Sequence, residues 1–122
     1  MKKIILLLCV VIFAASANAQ LAKSKWKGTL QLDNPIEVVF DFGKDSLSVY
    51  TVADNSALET MTFTDVDNVL VIKKVYGQSD CNEVEGKYKY EIKNEELVLT
   101  LVADDCAGRS QVLNNTKWSK SK

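Results

Sequence analysis

A handful of short patterns in this chain hold residue types that do chemistry elsewhere. Ser24-Lys25-Trp26-Lys27 has the Ser-x-x-Lys spacing of serine acyl-enzymes, where the serine is the nucleophile. Those enzymes also need further motifs and a large domain, and neither is present. Asp65-Val66-Asp67-Asn68 begins like a calcium loop, but Leu70 and Tyr76 stand where that loop needs glycine and glutamate, so the segment reads as a turn. Asp104 and Asp105 are adjacent carboxylates. Acid–base partners must converge on one reacting atom, whereas neighbours in a loop point apart, so these read as two solvated charges. Asn114-Asn115-Thr116 is a glycosylation sequon, which matters only in a eukaryotic secretory path. The 122 residues contain no histidine. That excludes a Ser-His-Asp triad, a Cys-His pair and a histidine-ligated metal. No cofactor or metal is called for, and the chain reads as non-catalytic.

The cysteines depend on the compartment. Met1-Lys2-Lys3 is a basic start, Ile4 to Phe13 is an unbroken apolar run, and Ala17-Asn18-Ala19 is a small-x-small cleavage site. Residues 1–19 therefore read as a bacterial-type secretory signal, and the apolar run is too short for the ~20 residues of a membrane span. Cys9 leaves with the signal. Cys81 and Cys106 remain, and an even pair in an oxidising compartment reads as a disulfide. The closed loop of about 25 residues is worth roughly 3.5 kcal/mol on the chain-entropy account. No Cys-x-x-Cys spacing supports a redox or zinc role. The expected location is the periplasm or outside the cell.

Taking 19 residues from 122 leaves 103, with 13 basic and 16 acidic side chains and a net charge of −3. That length holds one domain, residues 20–122, with a modest core. Two-domain enzymes and nucleotide-binding α/β folds do not fit. Net negative charge argues against nucleic acid as a partner, and no membrane span is left once the signal is gone.

The elements that would position any site are strands. Ile36-Glu-Val-Val-Phe-Asp-Phe42 alternates, with Ile36, Val38, Phe40 and Phe42 on one face. Gly86 to Lys93 sends Tyr88, Tyr90 and Ile92 inward and its charges outward, and Glu96 to Val102 does the same with Leu97, Leu99 and Leu101. Trp26 to Leu32, Glu59 to Thr64 and Val69 to Tyr76 add three more strands, burying Trp26, Leu30, Met61, Phe63, Leu70 and Ile72. Ser46 to Val52 is rich in β-formers with ambiguous faces, and Ser110 to Trp118 reads as a last strand. Eight short strands at about ten-residue spacing, joined by turns, point to an all-β barrel or sandwich. If each turn reverses the chain, the loops holding Cys81 and Cys106 lie at the same end, which fits antiparallel order.

Ser24-Lys25-Trp26-Lys27-Gly28 at the first strand, Gly86-x-Tyr88-x-Tyr90, Leu97-x-Leu99-x-Leu101, Asp105-Cys106-Ala107-Gly108-Arg109 and the late Trp118 together resemble a bacterial lipocalin-like protein of the calycin type. Ser24 stands where the family's Gly-x-Trp has glycine. The resemblance covers the mature chain and implies an eight-stranded antiparallel up-and-down barrel that binds an apolar ligand.

Three residues are the candidates for ligand binding: Arg109, Tyr88 and Tyr90. Arg109 is the chain's single arginine, three residues past Cys106. Arginine suits bidentate anion contact, so it reads either as a carboxylate-binding group at the barrel mouth or as a structural ion pair with Asp104 or Asp105, or stacked on a ring. Tyr88 and Tyr90 keep polar tips that either meet a ligand or bond to backbone and water. An eight-stranded barrel is just wide enough for its own side chains or one small ligand, so the lumen is expected to be mostly filled, with any ligand near the mouth. The expected partner is a small apolar or anionic molecule. The alternative is a protein partner met through the loops, such as a secreted hydrolase that the barrel inhibits.

Overall fold

An alternating strand has one face to hide, and a sheet that curls until its ends meet hides that face without a second layer. The computed structural model describes residues 20–77, 79 and 81–121. The expected signal, residues 1–19, lies outside the described residues. The elements are β1 (Lys25–Leu30), β2 (Ile36–Phe42), β3 (Ser46–Thr51), β4 (Ala57–Val66), β5 (Val69–Gly77), β6 (Glu85–Lys93), β7 (Glu96–Asp104), α1 (Ala107–Leu113) and β8 (Thr116–Ser121). Each strand pairs antiparallel with its chain neighbours, and β8 returns to β1, so the sheet is a closed eight-stranded up-and-down barrel. The expected all-β class and closure both hold.

Two kinds of connection give the barrel distinct ends. At the base, Asp67-Asn68 and Asn94-Glu95 are two-residue turns with both residues at positive φ (56° and 63°, 54° and 63°). That geometry matches strand twist and lets β4–β5 and β6–β7 reverse tightly. The other end, the mouth, carries the longer connections 31–35, 52–56, 78–84 and 105–115. The base is closed by the N-terminal segment, where Leu21 is fully buried and its N–H donates to Asp65 Oδ2 at 3.0 Å.

The barrel interior follows the alternation. Trp26, Phe40, Phe42, Met61, Phe63, Leu70, Ile72, Tyr88, Tyr90, Leu97 and Leu99 are buried, with Leu30 and Leu101 partly so. The ambiguous third strand resolves with Leu47 and Val49 inward. Phe40 stacks on Trp118 with centroids 4.0 Å apart, and Phe42 meets Phe63 edge-on at 4.9 Å. These rings fill the lower barrel.

The last segment differs from expectation. Residues 107–113 form a helix, and the final strand begins only at Thr116. A seven-residue helix is too short to show a sustained 3.6-residue period and too short to hold itself in water. Its i, i+3, i+4 spacing puts Arg109, Val112 and Leu113 on one face over the mouth. Asn115, at φ 63°, ends it and turns the chain into β8, and the Asn114 side chain accepts from the Leu101 N–H at 2.9 Å.

Candidate functional site

At the mouth the core side chains stop short of α1, leaving a cavity of about 550 Å³. Leu30, Leu32, Ile36 and Leu58 form one wall, and Val112 and Leu113 of α1 form the roof. Cys81 and Cys106 are disulfide-bonded with Cα atoms 5.7 Å apart, and both line the cavity. The bond joins the β5–β6 connection to the residue that begins α1. The size falls in the ordinary range for small-molecule sites, and the lining is mostly apolar.

The polar part of the site is one ion-pair cluster. Arg109 forks onto Asp104, Nε to Oδ2 at 2.7 Å and Nη2 to Oδ1 at 2.8 Å, and Nη2 also donates to the Val84 carbonyl at 2.8 Å. The Tyr88 hydroxyl donates to Asp104 Oδ2 at 2.5 Å, and the Cys106 N–H donates to Oδ1 at 2.9 Å. The carboxylate thus accepts four hydrogen bonds with its side chain 0% exposed, against 10% for Arg109. Burial pushes the Asp104 carboxyl up, but the bonds from Arg109, Tyr88 and Cys106 outweigh it and hold the group below its ordinary 3.8. Burial, then the Asp104 carboxylate, drives Tyr88 far above its ordinary 10. Burial pulls Arg109 down and Asp104 more than reverses it. At neutral pH the cluster is a fixed Asp⁻–Arg⁺ pair with a neutral tyrosine.

This placement sorts the expected residues. Arg109 lines the cavity as well as pairing with Asp104. Tyr88 stands one step behind it, joined through the carboxylate. Tyr90 points to the other end of the barrel, where its hydroxyl donates to Asp65 Oδ1 at 2.6 Å. Burial, then Asp65, raises Tyr90 well above its ordinary value too. Asp104 corrects one expectation: it is not a solvated charge like its exposed neighbour Asp105, because Arg109 and Tyr88 neutralise and saturate it. Ser24 is buried, its Oγ donating to the Leu21 carbonyl and accepting from Trp26 Nε1 at 2.8 Å. It ties the N-terminal segment to the Trp26 ring of β1.

Sequence reasoning passed over Glu59 and Lys74. Glu59 lines the cavity and accepts from the Ser79 N–H at 2.9 Å and the Ser79 hydroxyl at 3.1 Å. Lys74, almost buried on β5, donates to the Ser79 carbonyl. The alternation that turns Leu70 and Ile72 inward puts Lys74 on the same face, but the sequence does not show that Ser79 receives its ammonium.

Fold and site together define a small antiparallel barrel with an apolar, helix-roofed cavity at its mouth. No family model matches the chain, and neither a curated protein nor a solved structure matches it. Among the described residues no helix is long and apolar enough to cross a membrane.

Proposed function

We propose that this chain is an exported, lipocalin-like binding protein that holds a small apolar or carboxylate-bearing molecule in its mouth cavity and catalyses no reaction. The observation that carries this reading is the cavity of about 550 Å³ with its mostly apolar lining. A concave, mostly apolar hollow of this size beside a few polar groups is the usual form of a small-molecule site. The disulfide supports export, since such bonds persist in oxidising compartments, and the leader at residues 1–19 supplies the address.

The test is native mass spectrometry of protein purified from its own host, followed by a binding panel of apolar molecules and small carboxylates. Wild type should carry or take up one such molecule. Leu58→Trp, which fills the cavity from β4, should lose that binding while keeping the barrel's circular dichroism. Val75, Tyr76 and Val102, 56%, 63% and 56% exposed near the mouth ends of β5 and β7, favour a second reading as a protein-binding module. Under that reading wild type binds no small molecule, and Tyr76→Ala weakens capture of a secreted hydrolase.

A further inference from the structure

We infer that the mouth site selects an apolar molecule with a neutral hydrogen-bond-accepting head, such as an ester or amide carbonyl, over one with a free carboxylate, and that Asp104 sets this choice. The inference rests on the small-molecule reading of the same cavity and narrows it.

The reasoning is a charge and donor census. Among the described residues that line the cavity Arg109 is the only cation, and Asp104 engages it through two bonds at 2.7 and 2.8 Å. The other ionisable lining group is Glu59, an anion, and the ammonium of Lys74 reaches the far side of the same Ser79 that Glu59 holds. Arg109 with Asp104 sums to zero, Glu59 adds a negative charge to the lining, and Lys74, spent on the Ser79 carbonyl, is not among the lining residues. A carboxylate entering the cavity would give up water and meet, among the described lining residues, a cation already paired and a second carboxylate, which is the costly way to bury an ion. A neutral head gives up far less.

The site still offers directed donors. Arg109 Nε and Nη2 are bonded, but Nη1 has no partner among the described residues. No buried side-chain nitrogen or oxygen in them lacks a partner, so Nη1 keeps contact with solvent. Its two N–H groups sit on a side chain that lines the cavity, beside the apolar roof of Val112 and Leu113. A carbonyl oxygen can accept from Nη1 while the attached chain lies against Leu30, Ile36 and Leu58. The Tyr88 hydroxyl contributes indirectly, because its bond to Asp104 helps hold the carboxylate in place.

The experiment measures wild-type affinity at pH 7 for decanamide, methyl decanoate, decanoic acid and decane, by displacement of an apolar fluorophore. The amide and ester should bind at least about tenfold tighter than the acid, since the acid alone must bury an ion without a free counter-charge. Decane, lacking the acceptor, should bind less tightly than the amide. Lowering the pH to 5 should strengthen the acid more than the amide, because part of the ligand's own carboxylate then takes up a proton. Asp104→Asn, which frees Arg109's charge, should move the preference toward the acid. Acid binding at pH 7 as tight as amide binding, or decane binding as tight as amide, overturns the inference and leaves the small-molecule reading intact. Binding of none of the four overturns both. The wild-type comparisons decide the matter even if Asp104→Asn fails to fold.

Discussion

At Gly86 the missing side chain is what lets the mouth ion pair form. It lies opposite Asp104 in the β6–β7 ladder, and a Cβ there would sit 2.5 Å from Asp104 Oδ2 and 2.9 Å from Arg109 Nη2. Gly86→Ala should therefore cost about 1–3 kcal/mol, measured as a shift in urea midpoint, because it displaces two packed charged groups. Gly108 is the contrasting case. It lies inside α1 with nothing within 4 Å of its Cβ position. Gly108→Ala should stabilise by about 0.5–1 kcal/mol in the same assay, through helix propensity and unfolded-state entropy. Asp104 adds a pH dependence of definite sign. Its folded carboxyl binds protons less well than the unfolded one, so its contribution is present above the ordinary 3.8 and lost as pH falls below it. Urea midpoints of wild type should fall between pH 5 and pH 2.5 more steeply than those of Asp104→Asn. Parallel curves would refute the role given to this group.

Among the elements, α1 depends most on its anchors. Seven residues do not make a stable helix alone. Its start is tied by the Cys81–Cys106 bond and the Arg109–Asp104 pair, and its end by buried Leu113. Replacing both cysteines by serine should cost about 3.5 kcal/mol on the chain-entropy account. It should also release α1 first, so its amides lose hydrogen-exchange protection while β6 and β7 keep theirs. Uniform loss across the strands would mean the bond holds the barrel rather than its roof. The β5–β6 connection is coupled to the same roof, since the bond and the Val84 carbonyl both reach it.

For the whole molecule the decisive step is closure between the first and last strands. Only Lys25, Trp26 and Lys27 pair with β8, opposite Ser121, Lys120 and Ser119. Side chains complete the seam. Trp118 of β8 lies over Gly28 of β1 and stacks on Phe40 of β2, and Lys120 sits over the Trp26 ring at 5.1 Å. A Cβ on Gly28 would stand 2.5 Å from the Trp118 ring. Gly28→Ala should thus lower stability by about 1–3 kcal/mol, more than a surface substitution does, with the denaturant slope unchanged. An unchanged midpoint would show that the seam closes without this contact.

Alone, the sequence determined seven of the eight strands, their antiparallel character and most of the core, and left barrel and sandwich open. Alternation is a local property: Val38, Phe40 and Phe42 declare their face whatever sits opposite, as do Tyr88, Tyr90, Leu97 and Leu99. The disulfide was legible too, because turn parity puts both loops at one end. Tertiary structure decided the rest. Leu47 and Val49 lie among other β-formers that hid their face until β2 and β4 paired on either side. Leu21 is buried only because the N-terminal segment folds under the base onto Asp65. Residues 107–113 are helical because a bond, an ion pair and one leucine hold them over the cavity, and none of these is a local preference. Asp104 differs from Asp105 for the same reason. Adjacent aspartates are alike in sequence, and only the guanidinium and tyrosine brought to one of them across the fold make it a buried partner that stays charged at neutral pH.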